Sequence, residues 1–239
     1  MIGNLYRPGT LSTQAVVTTF DHDWPSLATG VAIPHGLYDL KRNHGFVTLG
    51  TSHDTSEFAC DSLRWWWQTY GRHDYPKATS LLLLCDGGGS NRSNTYLFKL
   101  DLEKFAQETG LAVRVAHYPP YTSKYNPIEH RLFPHLTRVC QGVILKSLEL
   151  VKELMAKTAT TTGLRVSVNI LDKVYQTGRR ATTDVKERIR VIHDEVLAKW
   201  NYRILPGEPN PGRVRHHPQS RWLDEWGRLK GDHLSQLVL

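Results

Sequence analysis

The apolar positions of the chain change period several times, and each change marks an element. Residues 30–40 ("GVAIPHGLYDL") and 45–53 ("GFVTLGTSH") read as two strands, and "KRNHG" between them has the turn chemistry of a hairpin. Residues 54–72 open with a helix signature, in which Asp54 or Thr55 can cap and Glu57 stands where a capping box places it. Residues 78–86 ("ATSLLLLCD") form a short continuous apolar run, as expected of a strand buried on both faces. Residues 94–110 are apolar at helical period, with Gly110 just past the end, and 111–119 ("LAVRVAHYP") read as another strand. Asn126-Pro127 opens a further helix, and residues 147–163 form one more. Residues 1–30, rich in Gly, Pro, Thr and Asp, read as a strand remnant plus loops. Beyond residue 163 the pattern weakens. Residues 184–202 fit a helix, and the Pro-, Gly-, Arg- and His-dense stretch over 206–239 reads as a tail of low order.

Strand and helix alternation behind a hairpin predicts an α/β fold with a mixed sheet, part antiparallel and part parallel, flanked by helices. A chain of 239 residues, 40% of them hydrophobic, suits one domain with a sizeable core. No apolar run is long enough to cross a membrane, and the N-terminus lacks the layout of a signal peptide. Cys60, Cys85 and Cys140 are odd in number and widely spaced. They suggest neither a disulfide framework nor a CxxC metal site, so the expected compartment is a reducing cytosol. The net charge of +7 and the pI near 9.3 suit a polyanionic partner such as nucleic acid, although a solvated basic surface gives the same balance.

Two carboxylates stand out. Asp86 closes the buried strand and is followed by "GGGSN". Ligands of open α/β sheets gather at the carboxyl ends of strands, and glycines permit close approach. Asp-Gly is equally a common turn pair. Neither GxGxxG nor GK[ST] is present, which excludes a dinucleotide fingerprint and a P-loop. Asn126, Pro127 and Glu129 fit N-cap, N1 and N3 of a capping box, whose Glu ordinarily turns back to solvent. Yet Leu132, Phe133 and Leu136 follow at i+3, i+4 and i+7, so Glu129 heads an apolar stripe. A carboxylate turned to the core needs a partner, and a divalent cation shared with Asp86 would supply it. Oxygen-only ligands suit Mg²⁺ or Mn²⁺ rather than zinc. Two such ions about 3.5–4 Å apart can activate a water or a 3′-hydroxyl and stabilise the leaving oxygen of a phosphodiester. The His/Asp pairs in "FDHDW" and "SHDT" lack HExxH spacing, and His53 and Asp54 read as a helix cap. Trp65, Trp66 and Trp67 cannot share one helix face, so at least one is expected outside the core.

"LLLLCDGGGSN" followed by "VAHYPPYTSKYNPIEHRLF" resembles the signature of DDE transposases, specifically the Rhodopirellula-type DDE domain of bacterial insertion sequences. The segment "PPYTSKYNPIEH" is more distantly similar to mariner-type transposases. "GVAIPHGLYDLKRNHGFVTLGTSHDTSEFACDSLRWWW", "TATTTGL" and "KWNY" resemble further landmarks, so the likeness runs over residues 1–205 and leaves 206–239 foreign to the family ending. The resemblance implies an RNase H-like fold and a transposase catalytic domain that cleaves and transfers DNA strands at insertion-sequence ends. It implies transposon ends and target DNA as partners, a homo-oligomer, no membrane, and a place in the bacterial cytoplasm at the nucleoid. Asp86 matches the second acid of the catalytic triad and Glu129 the third, both as ligands of two Mg²⁺ or Mn²⁺ ions. Gly87, Gly88, Asn126, Pro127 and His130 match residues that shape the site.

There is one departure. The family's first catalytic Asp lies on the first strand, shortly before a segment resembling "LIGNF", and here "MIGNL" occupies residues 1–5. Part of the first strand, its Asp and a preceding helix-turn-helix are therefore expected to be missing from these residues, either absent, with activity impaired, or encoded upstream of Met1. Asp21, Asp23, Asp39 and Asp54 are candidates for a substitute, though none of them stands in the family's place. The alternatives are a catalytically inactive DNA-binding remnant and an unrelated α/β phosphoester hydrolase. The latter would keep Asp86 and the glycine loop but leave "NPIEHRLF" unexplained.

Overall fold

In the computed structural model, which describes residues 1–21, 24–86, 88, 95–119, 121–207 and 234–238, the sheet begins with a hairpin. Strands β1 (Ile33–Asp39) and β2 (His44–Gly50) pair antiparallel, from Ile33↔Gly50 to Asp39↔His44. Asp39 holds the turn, its Oδ1 accepting the amides of Lys41 and Arg42 at 3.0 Å each. Asn43 takes the left-handed φ of +49° there, a conformation Asn tolerates. Helix α1 (Ser56–Trp66) is capped by Thr55, whose hydroxyl accepts from the Phe58 amide at 3.2 Å. It runs through a π turn, Trp67–Gly71, into the short α2 (Arg72–Asp74). Trp66 is buried, while Trp65 and Trp67 lie half-buried against the same core.

Strand β3 (Ser80–Cys85), helix α3 (Tyr96–Thr109) and strand β4 (Ala112–His117) follow, with Gly110 ending α3 at φ +74°. Next come α4 (Pro127–Arg131), α5 (Phe133–Val139) and α6 (Leu148–Ala156), the last capped by Ser147. The chain continues through β5 (Arg165–Leu171), α7 (Thr183–Arg188), β6 (Val191–His193), β7 (Asn201–Ile204) and β8 (Leu234–Val238). The eight strands form one sheet in the order β5-β2-β1-β8-β3-β4-β7-β6. β5 lies parallel to β2, and β3 parallel to β4 and β8; β1 with β2 and β8, and β7 with β4 and β6, are antiparallel. This is the mixed α/β architecture that the alternation predicts. No helix among the described residues is long and apolar enough to cross a membrane.

The C-terminal third departs from the expected elements. The helix expected over 184–202 is confined to Thr183–Arg188, and two strands replace the rest. Tyr202 and Ile204 alternate into the core while the backbone of β7 pairs along β4, from Ala116↔Asn201 to Val113↔Ile204. Sheet pairing and burial outweigh the local helical period. The helix expected over 147–163 stops at Ala156, and β5 follows it. Of the expected low-order tail, residues 208–233 and 239 lie outside the described residues, whereas Leu234–Val238 form β8 inside the sheet.

Two buried clusters cover the two faces. Leu37, Phe46, Leu63, Trp66, Leu83 and Phe105 belong to the one under α1 and α3. Val47, Leu49, Ile128, Leu132, Leu136 and Val151 belong to the one under α4, α5 and α6.

Candidate active site

Strand directions decide where chemistry gathers. β2 and β5 run parallel, β3 and β4 run parallel, and β8 runs parallel to β3 and opposite to β1. The carboxyl ends of β2, β3, β4 and β5 therefore share one edge, the edge at which open α/β sheets bind ligands. Asp86 stands there, one residue past β3 and half-buried. Its Oδ1 accepts the Gly88 amide at 3.3 Å. Burial raises the Asp86 carboxyl above the usual carboxylate range; the Gly88 amide pulls it back, and the negative charge of Asp54 pushes it up again.

Asp54 lies in the link from β2 to α1, at the same edge. It also acts on His35 of β1, which is 9% exposed. The His35 ring meets Phe58 edge-on at 5.8 Å, and its Nε2 has no hydrogen-bond partner. Burial drives the His35 pKa down to about 4, with Asp54 opposing the shift, so the ring is neutral at pH 7. On the other side of Asp86, His117 pins the end of the strand. Its Nδ1–H donates to the Asp86 carbonyl at 3.2 Å, and its Nε2 accepts from the Tyr202 hydroxyl at 3.4 Å. Burial lowers the His117 pKa; the bond to Asp86 raises it, and the Lys99 charge lowers it.

Helix α4 carries the second expected acid. Asn126 is buried and its side chain accepts from the Ile128 amide at 3.4 Å, with Pro127 at the first helical position. This is the cap the sequence predicts. His130 is exposed, and its Nε2–H donates to the Lys124 carbonyl. The expected continuous stripe headed by Glu129 does not form. The helix breaks at Leu132, with φ −125° and ψ −62°, just before Pro134. Proline lacks an amide hydrogen and its ring crowds the preceding turn, which accounts for the break. The buried line is Ile128, Leu132 and Leu136, and Glu129 flanks it half-buried.

Ile128 and Phe133 seat this segment on β1. A Cβ on Gly36 would meet the Phe133 ring at 2.6 Å and Ile128 Cδ1 at 3.3 Å, so only a glycine lets them settle there. Leu84 packs against the same cluster as Ile128. Strand alternation therefore assigns Asp86, two residues on, to the face that α4 covers. Among the described residues, no group of three or more His, Cys, Asp or Glu is arranged to hold a metal ion. Gly87 lies outside the described residues. The sequence offers Asp54 both as a helix cap and as one of four candidates for a substitute acid, and gives no sign that it is the carboxylate acting on Asp86. Only the strand order reveals that the end of β2 and the end of β3 share an edge.

The family model described as "Rhodopirellula transposase DDE domain" matches residues 1–206. No curated protein and no solved structure matches the chain. DDE transposase domains act on DNA and generally use divalent metals. With the match covering most of its length, the chain belongs to the Rhodopirellula transposase DDE domain family.

Proposed function

We propose that residues 1–205 are the catalytic domain of a transposase that cleaves and joins DNA strands at insertion-sequence ends, on an RNase H-like sheet. The observation that carries this reading is Asp86, a half-buried carboxylate at the carboxyl edge of β3, within the span that matches the family. The donors present fit the expected ions. Mg²⁺ and Mn²⁺ take one or two protein carboxylates and complete their shell with water and substrate phosphate. Burial disfavours the charged form of Asp86, a cost that a cation would relieve. Asp86 and Glu129 would hold the metal, which would acidify a water or 3′-hydroxyl and take up charge on the leaving oxygen.

The other residues serve position and access. His117 fixes the backbone of Asp86 through its carbonyl, and the Gly88 amide orients the carboxylate. Asn126 and Pro127 fix where α4 begins, and His130 ties that helix back to the loop at Lys124. The net charge of +7 draws the DNA backbone to the protein.

Nicking of supercoiled plasmid in Mg²⁺ or Mn²⁺ tests the reading. The native chain is expected to nick, and Asp86→Asn and Glu129→Gln are each expected to slow it by about 100-fold or more. Nicking by Asp86→Asn at the native rate would sink the assignment. The second reading is that of a chain which keeps the basic surface but does not cut DNA. A chain that binds DNA with steep salt dependence, yet nicks in neither ion, is the inactive DNA-binding remnant.

A further inference from the structure

Lys99 is buried without an anion beside it. It lies one turn into α3 at 6% exposure, next to the buried Phe98. Lysine is almost never buried to that extent unless a carboxylate pairs with it. Among the described residues the Lys99 ammonium has no ion pair and meets two aromatic rings instead. Its Nζ lies 4.9 Å from the ring centre of Tyr202 and 5.3 Å from that of Tyr96. Ring faces attract an ammonium but carry no net charge, so they offset only part of the cost of burying it. Lys186 of α7, itself exposed, brings a second ammonium to the same ring, 5.5 Å from the centre of Tyr96. The start of α3 adds to this field. No acidic residue stands in its first turn, and the Thr95 side chain at the N-cap accepts none of the first-turn amides. Both features leave the positive end of the helix to an outside anion.

Contacts tie this cluster to Asp86. Lys99 lies over the ring of Tyr202, the Tyr202 hydroxyl bonds His117, and the other nitrogen of His117 bonds the Asp86 carbonyl. We propose that Lys99, Lys186 and Tyr96 form an anchor for a backbone phosphate of DNA beside the Asp86 site. The inference rests on the function proposed above, which makes DNA the substrate. A phosphodiester supplies the anion that both ammoniums lack. Tyr96 is 42% exposed, and its hydroxyl can donate to a phosphate oxygen. A contact of this kind carries no sequence information; it fixes the register of the duplex over the site.

Anisotropy of a fluorescent DNA duplex, titrated with the full chain at several salt concentrations, tests the anchor. Each phosphate contact contributes about 0.9 to the slope of log affinity against log salt. Lys99→Met and Lys186→Met are each expected to reduce that slope by about 1 and to weaken binding about 10-fold at low salt. Lys77 is exposed and precedes β3, at the end of the strand opposite Asp86, so Lys77→Met should leave both unchanged. An unchanged slope in folded Lys99→Met would overturn the anchor, as would an equal loss in Lys77→Met. Displacement of the duplex by inorganic phosphate at equal phosphate concentration would also overturn it, because the site would then take the free anion. If Lys99→Met does not fold, the native chain with carbon-13-labelled lysine decides. The Lys99 Cε signal is expected to shift as duplex is added, and a signal unmoved at saturation overturns the proposal. Anchor and nuclease fail separately. A reduced slope in Lys99→Met, with no nicking by the native chain, keeps the anchor and sinks the nuclease. Nicking that depends on Asp86, with an unchanged slope, does the reverse.

Discussion

On the α1 and α3 face of the sheet the largest buried side chains are aromatic, among them Phe46, Phe58, Trp66, Phe98 and Phe105. On the α4 to α6 face the buried side chains are aliphatic apart from Tyr38, and they leave a pocket of about 390 Å³ lined by Gly36, Val47, Leu49, Leu136 and Val151. The aromatic face is also clamped by ions. Arg179 forks onto buried Asp101 at 2.9 and 3.0 Å, and Asp101 accepts the Ser56 hydroxyl at 2.7 Å. Lys173 bridges Glu57 and Asp61 at 2.7 and 2.9 Å. The aliphatic face has a helix broken at Leu132 instead. A dense core resists any change of volume, whereas a core beside open space repacks at lower cost. The chain thus keeps one face fixed and leaves the face carrying Glu129 able to adjust.

The largest effect should come from removing an aromatic ring on the fixed face. Phe46→Ala is expected to cost about 3–5 kcal/mol in urea unfolding, and Leu136→Ala, which already borders the pocket, about 2 kcal/mol. Equal losses would erase the contrast between the faces. Arg179→Met comes next, at about 3 kcal/mol, because it leaves the Asp101 carboxylate buried at 2% exposure without its guanidinium. The pair Arg179→Met with Asp101→Asn should recover much of that loss. A double variant no more stable than the single one would show that the clamp does not act as a pair.

The same contrast explains what could be read in advance. Elements of the fixed face are written locally: Thr55 before α1, the run Ser80–Cys85, and Gly110 after α3 each carry their own signal. Asp86 was legible for the same reason, as the polar residue ending an apolar run. Elements that add to edges or fill gaps are not local. β7 forms because β4 offers an edge, and β8 because β1 and β3 leave a groove. β5 had a signal that went unused: Val166, Val168 and Ile170 alternate directly after a turn at Gly163, where φ is +86°. Glu129 stands half-buried beside the line Ile128, Leu132 and Leu136, and Pro134 breaks the helical period that a continuous stripe assumes.

Acid should loosen the chain through His35. Unfolded His35 takes a proton below its usual 6.5, folded His35 only below about 4. Between those values the unfolded state holds more protons, so stability falls as pH drops through the window and is flat above it. The full effect is on the order of 3 kcal/mol. His44, also pushed down to about 4, adds to the slope, and Asp86, whose folded pKa is raised, opposes it. His35→Gln is expected to flatten unfolding free energy against pH between 6.5 and 4 by nearly one proton. An unchanged slope would mean that His35 is not held neutral by the fixed face.

The smallest change gives the sharpest comparison, because its sign differs between the faces. Val151 is 2% exposed and borders the pocket, so Val151→Ile adds a methyl group to open space. Burying it should stabilise by up to about 0.8 kcal/mol. Val113 is fully buried under α3 and does not line that pocket. Val113→Ile must displace packed neighbours and should destabilise by about 1 kcal/mol or more. Thermal unfolding resolves the two, since 1 kcal/mol moves the midpoint of a chain this size by about 2–4 °C. Shifts of the same sign would mean that the two faces are equally packed and that the Glu129 side has no special freedom to adjust.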